Sequence, residues 1–140
     1  MSWANKYMII PFVEKGRSFD GADCYGLVRL IYKNELGIEL PDYLGLYEST
    51  NDREKLSKII NDESSKKWLN PEKGKEKPFD VIILEMRGVP MHVGIVTKPG
   101  YMIHCAKGIN TVYENYRNMR WEHKIRGFAR YDNKETTKTE

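Results

Sequence analysis

The apolar residues of this chain change their spacing once, and that change restricts the possible folds more than any other feature of the sequence. From Cys24 to Leu36 they recur every three or four positions, which predicts an amphipathic helix that ends at Gly37. Further along, short apolar runs bounded by turn residues predict strands. The predicted strands are 81–84, 92–96, 101–105, 111–114 and 127–131. Helices followed by antiparallel strands indicate an α+β fold.

The remaining segments carry weaker signals. Residues 3–21 have little periodicity and are interrupted by proline and glycine, so an extended or looping lead-in is expected there. A second, peripheral helix is predicted from about Asp52 to Lys67, followed by an exposed loop at 70–77. Residues 133–140 are polar, and we expect this tail to fray.

Length and composition limit the class of protein. The 140 residues fit one domain, which we place at residues 1–132, and 40% apolar residues suffice for a core. The net charge of +3 is spread without a basic block, so no nucleic-acid partner is expected. No apolar run of about 20 residues and no secretion signal is present, which predicts a chain made in the cytoplasm that does not span a membrane. Two cysteines cannot form a disulfide framework.

The hairpin predicted at residues 92–105 determines which side chains share a face of the sheet, because strand residues alternate between faces. The apolar set that must point inward together is Val93, Ile95, Tyr101, Ile103 and Cys105. The opposite face then carries His92, Gly94, Met102, His104 and Ala106. This arrangement requires a connection of three or five residues, since an even number would expose half of the apolar set. The pattern therefore predicts that both histidines lie on one face, nearly opposite each other.

Cys24 falls in the first turn of the predicted helix, and Asp23 lies at or near its N-cap. Unpaired backbone N–H groups and the helix dipole favour an anion at this end, so we expect the thiol pKa to be lower than that of a free cysteine. A nucleophilic thiolate needs a base that later donates a proton to the leaving amine, and a third polar group that orients the base. His92 and His104 suit these two roles if the helix docks against the hairpin.

Three segments contain these residues in sequence order: Asp23-Cys24-Tyr25-Gly26-Leu27-Val28, His92-Val93-Gly94-Ile95-Val96 and Ile103-His104-Cys105-Ala106. Together they resemble the motifs of the NlpC-type cell-wall peptidases, papain-like cysteine hydrolases that cut peptide stems of bacterial peptidoglycan. The longer string at 23–32, with residues 35–43, is especially similar to members associated with phage and prophage tails. The resemblance covers about residues 21–106 and implies N-terminal helices packed on a central antiparallel sheet.

The resemblance also implies a role for each matching residue. Cys24 would be the nucleophile that forms a thioester, His92 the general base and acid, and His104 the residue that orients His92. An imidazole nitrogen of His92 is then expected within about 4 Å of the Cys24 sulfur. The backbone N–H of Cys24 would stabilise the oxyanion, a contribution of roughly 3 kcal/mol per donor in well-studied hydrolases.

Asp23 and Tyr25 are the residues that the resemblance assigns to substrate binding. Many cellular members have serine directly after the nucleophile, where it helps the aspartate bind a free amine of the substrate. Tyr25 stands there in this chain, so we expect crosslinked or glycan-attached stems to be accepted as well as stems with a free amine. Tyr7 and Tyr25 are both candidates for a hydroxyl that assists the oxyanion.

The implied partners are bacterial peptidoglycan peptides and phage tail proteins, with no cofactor, no metal and no membrane. Delivery to the virion tail or the host cell wall would follow synthesis in the cytoplasm. Other interpretations remain: a structural tail protein that has lost hydrolysis, or an acyl or amide transferase of the same superfamily. At the level of residues, Cys24 could be a buried small hydrophobe, could pair with Cys105, or could bind zinc together with Cys105 and the two histidines.

Overall fold

The computed structural model describes residues 2–40, 68–86 and 89–131. Helix α1 spans Ser2–Asn5, and helix α2 spans Cys24–Ile31 and continues into a π-helical turn at Tyr32–Leu36. The strands are β1 (Arg17–Ser18), β2 (Gly21–Ala22), β3 (Trp68–Leu69), β4 (Val81–Met86), β5 (Val89–Lys98), β6 (Tyr101–Ala106), β7 (Asn110–Asn115) and β8 (Ile125–Tyr131). No helix in these ranges is long and apolar enough to cross a membrane.

Two separate antiparallel arrangements make up the β-structure of the described residues. Strands β1 and β2 form a small hairpin directly before α2. The other six form one sheet in the order β3-β8-β4-β5-β6-β7, in which every neighbouring pair is antiparallel. The α+β prediction is therefore confirmed, and each of the five predicted strands is present. The predicted helix at 52–67 and the tail at 133–140 lie outside the described residues.

Helix α2 begins and ends where the sequence indicates. Asp23 caps its N-terminus, and Gly37 adopts a left-handed backbone with φ of 69° after the π-helical turn. The apolar stripe is buried through Ile31, but Leu36 is 37% exposed. The expectation that Leu36 packs inward is wrong because the wider π-helical turn rotates it away from the stripe.

The sheet is buried on both faces. On one face, α1, α2 and the lead-in pack against the inward side chains of the central strands, including Val93, Ile95, Ile103 and Cys105. On the other face, a second apolar cluster consists of Ile82, Leu84, Val96, Met102, Tyr116, Trp121 and Phe128. The predicted inward set is confirmed except for Tyr101, which is only partly buried. The second cluster was not predicted, and it surrounds the two histidines with apolar side chains.

Two loops differ from the sequence-based expectation. The lead-in was predicted to lack regular structure, but it forms α1 and the β1–β2 hairpin, and it buries Tyr7 and Ile10 completely. These side chains belong to the same core cluster as the buried residues of α2, and their burial stabilises the segment. In the loop at 70–77, Glu76 is only 5% exposed because it accepts hydrogen bonds from Gly74 and Tyr116. The rest of that loop is largely exposed, as predicted.

Candidate active site

Cys24 is the first residue of α2, and only 3% of it is exposed. Asp23 fixes this end of the helix, because its carboxylate accepts a 2.7 Å hydrogen bond from the N–H of Gly26. The backbone N–H of Val93 hydrogen-bonds to the Cys24 sulfur. Val93 lies in β5 and directly follows His92, so α2 docks its N-terminus at the level of His92 on that strand.

His92 and His104 lie on one face of the β5–β6 hairpin and contact each other directly. His92 Nε2 and His104 Nδ1 are 2.7 Å apart, and both residues are buried. Lys98 pairs with Tyr101, so the turn has only two residues, and a bulge between Val96 and Lys98 restores the register in which Val96 pairs with Met102. The shared face is thus confirmed, but the predicted connection of three or five residues is wrong, because the bulge compensates for the even turn. The rings meet diagonally rather than directly opposite each other, since the strand partner of His104 is Gly94.

Glu114 extends this pair, and sequence reasoning missed it. Its Oε2 lies 2.8 Å from His104 Nε2, and its Oε1 accepts a 3.0 Å hydrogen bond from the indole N–H of Trp121. The Trp121 ring lies near both imidazoles, stacked on His92 and edge-on to His104. The signal that was available is parity: β7 pairs Glu114 with Met102, which shares a face with His104.

The expectation of an easily ionised thiol is wrong in this structure. Burial and, to a smaller extent, the charge of Asp23 raise the pKa of Cys24 to about 12, although N–H groups of Val93 and Tyr25 act in the opposite direction. The physical reason is that the free energy needed to remove a thiolate from water is larger than the stabilisation that the helix N-terminus provides. Cys24 is therefore a neutral thiol until a base takes its proton.

His104 and Glu114 favour different charge states: the imidazole is neutral and the carboxyl group is ionised. Burial lowers the pKa of His104, outweighing the hydrogen bond and charge of Glu114, so its neutral form is favoured. Burial on its own would raise the pKa of Glu114. Hydrogen bonds from Trp121 and His104 reverse that effect, and the pKa of Glu114 lies below its usual value. The arrangement at neutral pH is a carboxylate next to a neutral imidazole.

The Asp23 carboxylate is fully buried and contacts several protein groups. Besides the Gly26 N–H, it accepts hydrogen bonds from the Lys15 N–H at 3.2 Å and from the Arg17 guanidinium at 2.8 Å. The Arg17 side chain is itself only 12% exposed, and its guanidinium carbon lies 5.7 Å from the centre of the Tyr25 ring. An internal cation thus balances the charge of Asp23. Amine binding by Asp23 stays a prediction.

The two candidate tyrosines occupy different surroundings. Tyr25 is 3% exposed and packs in the same apolar cluster as Cys24, beneath the Arg17 guanidinium. The Tyr7 side chain is buried in that cluster as well, and its hydroxyl donates a 2.7 Å hydrogen bond to Glu35. Contact of Tyr25 with substrate stays a prediction, and the Glu35 contact gives no support to an oxyanion role for Tyr7.

Cys105 faces away from the histidines. It is completely buried on the α2 side of the sheet, and its thiol donates to the carbonyl of Ala22 at 3.3 Å. Both cysteines are free thiols, as predicted for Cys105. A disulfide with Cys24 is therefore not present, and Cys105 lies on the wrong face to join His92 and His104 around a zinc ion. Among the described residues, no group of three or more potential ligands could hold a metal.

Comparison with known proteins adds an independent observation. The sequence model of the NlpC/P60 family matches residues 10–130. This match extends beyond the three motifs and includes Glu114 in β7 and Trp121 in the segment between β7 and β8. No curated protein matches the chain in sequence.

Solved structures share the fold at low sequence identity. One is a protein described as similar to a lipoprotein of the NLP/P60 family from Staphylococcus aureus subsp. aureus Mu50, with 22% identity over 95% of this chain and a TM-score of 0.66. Another is an NLPC/P60 family protein from Bacillus cereus ATCC 10987, with 20% identity over 93% of this chain and a TM-score of 0.66. This chain spans only 40% and 38% of those two proteins. A third is the NlpC/p60 domain of the peptidoglycan hydrolase SagA, with 21% identity, 91% of this chain and 92% of that domain covered, and a TM-score of 0.60.

Proposed function

The chain belongs to the NlpC/P60 family, and from that premise we propose that it is a cysteine endopeptidase acting on peptidoglycan. Its substrate would be an amide bond in the peptide stem, cleaved through a thioester intermediate. The SagA domain, which shares the fold, comes from a protein described as a peptidoglycan hydrolase. That likeness supports the substrate class, while the argument for the chemistry comes from the residues of this chain.

The observation that carries the proposal is the buried histidine pair on one face of β5 and β6, at the level where the start of α2 docks against the other face. A 2.7 Å contact between two ring nitrogens requires one to donate and the other to accept, so the tautomers of the two rings are coupled. Cys24 meets β5 at the Val93 N–H, one residue from His92. The proposal requires a ring nitrogen of His92 to reach the Cys24 sulfur, and this contact stays a prediction.

The chemistry balances with these groups alone. His92 takes the proton of the Cys24 thiol while the sulfur attacks the carbonyl carbon of the stem peptide. The C–N bond then breaks, the His92 imidazolium donates its proton to the leaving amine, and the acyl group remains on sulfur as a thioester. Water attacks the thioester with His92 as base, and the proton returns to the sulfur as the carboxylic acid leaves. His104 accepts the hydrogen bond that keeps His92 in place.

The oxyanion is expected to lie at the N-terminus of α2. The N–H of Cys24 belongs to the first turn, where backbone donors have no partner inside the helix. Each donor aimed at a developing oxyanion contributes roughly 3 kcal/mol of transition-state stabilisation in comparable hydrolases. Asp23 lies next to this position, and its carboxylate would repel an oxyanion. Three protein donors hold the carboxylate in place, and one of them, the Arg17 guanidinium, offsets its charge.

The Arg17–Asp23 ion pair bears on the choice of substrate. An amine of the substrate that bound Asp23 would have to displace a guanidinium that is 12% exposed and 2.8 Å away. Since breaking a buried pair leaves an uncompensated charge, that exchange is costly. The proposed enzyme therefore accepts stems whose N-terminus is joined to glycan, and does not depend on a free amine.

The proposed setting is a phage or prophage tail. The support for it is the sequence resemblance at residues 23–43 to tail-associated members. In that setting the chain is made in the cytoplasm, and the virion or a partner protein carries it to the cell wall. Purified virions probed by mass spectrometry for peptides of this chain test the setting separately from the activity.

The activity is tested by incubating purified protein with peptidoglycan sacculi and identifying released fragments by mass. We expect new amine and carboxyl termini within the stem peptide. Cys24→Ala should abolish release, and its matched control is Cys105→Ala, which removes the other buried thiol on the same side of the sheet and should keep most of the activity. Retained turnover in Cys24→Ala would refute the nucleophile assignment. Products carrying an added acyl acceptor would identify a transferase, and an inert wild-type protein would favour a structural role.

A further inference from the structure

We propose that Glu114 is a positioning residue. Through its contact with His104, it determines which ring nitrogen carries the proton in His104 and, in turn, in His92. This inference rests on the proposed function. Glu114 touches neither the sulfur nor the expected substrate position, and it acts through His104, whose Nε2 lies 2.8 Å from its carboxylate.

The Glu114 carboxylate determines which atom donates in each of the two hydrogen bonds, from His104 to Glu114 and between His92 and His104. An ionised carboxylate can only accept, so the proton shared with Glu114 must belong to His104 Nε2. Neutral His104 then has a lone pair on Nδ1, and the 2.7 Å contact with His92 requires that His92 Nε2 carry the proton. In its neutral form, His92 then has its lone pair on Nδ1. Under the proposed function, Nδ1 is the nitrogen that accepts the proton of Cys24.

Trp121 holds the carboxylate in the orientation that this pattern needs. Its indole N–H donates to Oε1 at 3.0 Å while His104 occupies Oε2, so the two oxygens have separate donors. An indole N–H can donate a hydrogen bond but cannot accept one. In a variant of Glu114, the atom that faces Trp121 must therefore be an acceptor, as Oε1 is. The Trp121 side chain is 3% exposed and packs against both imidazole rings, so it cannot easily turn away.

Glu114→Gln turns this constraint into an experiment. The amide oxygen will face Trp121, which leaves the NH₂ group as a donor towards His104 Nε2. His104 must then carry its proton on Nδ1 and donate to His92 Nε2, and His92 must carry its own proton on Nδ1. The nitrogen that should receive the Cys24 proton is thereby blocked. In a serine protease, the comparable loss of the correct tautomer lowers kcat by about 10⁴-fold.

The matched control is Glu76→Gln. Glu76 is a buried glutamate on this side of the sheet, whereas the Glu114 side chain is 19% exposed, and Glu76 accepts hydrogen bonds from Tyr116 and Gly74. Both variants lose a carboxylate that accepts two or more hydrogen bonds, so thermal unfolding shows whether they are folded to the same extent. We expect Glu114→Gln to lose at least about 100-fold in kcat with KM within about threefold, while Glu76→Gln keeps its kcat.

A second substitution separates positioning from general damage. The Arg120 guanidinium also lies 3.6 Å from Oε1, so this test is made in an Arg120→Met background. There, in the double variant Glu114→Gln, Trp121→Phe, neither donor faces that position, so the amide oxygen can face His104 and the original tautomers return. We expect the double variant to have a higher kcat than Glu114→Gln alone, a strongly non-additive result. An equal or lower kcat in the double variant would overturn the proposal, as would a Glu114→Gln enzyme with wild-type kcat or equal losses in the two glutamine variants.

Nitrogen-15 NMR of the histidine rings tests the same inference without substrate. The wild-type protein should carry its protons on Nε2 of both His92 and His104 at neutral pH, and Glu114→Gln should move them to Nδ1. Wild-type rings protonated on Nδ1 would overturn the proposal even if hydrolysis is normal. If sacculi are not cleaved but the Nε2 pattern and its reversal are seen, the proposed function fails while the positioning role of Glu114 stands.

Discussion

Gly94 is the point at which a single methyl group should disturb the histidine pair. It lies in β5 opposite His104, and a Cβ added there would lie 2.9 Å from the His104 Cβ and 3.0 Å from the carbonyl oxygen of Ile103. Neither neighbour is the flexible end of a side chain. Since 3.4 Å is the lower limit of ordinary contact, β6 must move away by about 0.5 Å in Gly94→Ala.

That displacement has two separable consequences. Overpacking of this kind costs roughly 1–3 kcal/mol of unfolding free energy. A shift of about 0.5 Å would also lengthen the 2.7 Å contact between the rings to about 3.2 Å, the upper end of the normal hydrogen-bond range. Because a 1 Å misplacement can cost about 100-fold in rate, we expect kcat to fall by about tenfold.

The assay compares Gly94→Ala with Gly108→Ala by urea unfolding and by kcat on sacculus-derived peptides. Gly108 has φ of 84° and nothing within 4 Å of an added Cβ, so alanine there strains the backbone without touching the site. Its stability should drop by roughly 1–3 kcal/mol while its kcat stays unchanged. If Gly94→Ala keeps wild-type kcat, or if both variants lose kcat in proportion to stability, the reasoning about β6 is refuted.

Three further predictions concern the same site. His92→Ala should lower kcat about as far as Cys24→Ala, whereas His104→Gln should lose less, because an amide oxygen can accept from His92; equal losses in steady-state kinetics would contradict this. The pKa of His104 is lowered by burial, so the unfolded chain binds more protons below about pH 6.5 and the free energy of unfolding should fall as pH drops through that range. Urea titrations at several pH values should show a weaker dependence in His104→Gln, and an unchanged slope would exclude His104 as its source. Arg17→Gln should raise cleavage of stems with a free amine relative to glycan-attached stems, measured by mass spectrometry of mixed substrates, and an unchanged ratio would remove Arg17 from selectivity.

The parts of the site that could be predicted from sequence are those that burial alone determines. The face shared by His92 and His104 follows from which hairpin residues must be inward, although the loop length that was predicted from it is wrong, since a bulge after Val96 compensates for a turn of two residues. The start of α2 follows from Asp23, since a capping carboxylate and an apolar stripe identify the same residue as the first of the helix. Both inferences use only the spacing of apolar residues along one segment of the chain, two residues in the strands and three or four in the helix.

Glu114 could not be identified in the same way, because its role depends on a contact with a residue outside the sheet. Strand parity places Glu114 on the face of His104, but parity alone does not tell which polar side chain of β7 meets that histidine. What selects Glu114 is the Trp121 indole, seven residues further along in an irregular segment. No periodic pattern describes that segment, so its docking over the histidines, and with it the second apolar cluster, was not predictable.

The thiol of Cys24 shows why a local rule failed and what the proposed mechanism requires instead. Charge at a helix N-terminus is typically stabilised by about 0.3–1 kcal/mol, while a rise in pKa from 9.0 to about 12 corresponds to about 4 kcal/mol against the thiolate. Desolvation therefore decides the resting state, and a standing thiolate–imidazolium pair is disfavoured. Proton transfer to His92 must then accompany attack on the substrate, whose carbonyl oxygen receives the charge that the sulfur gives up. The fixed tautomers of His92 and His104 matter more in such a site, because the base has to be ready before any ion forms.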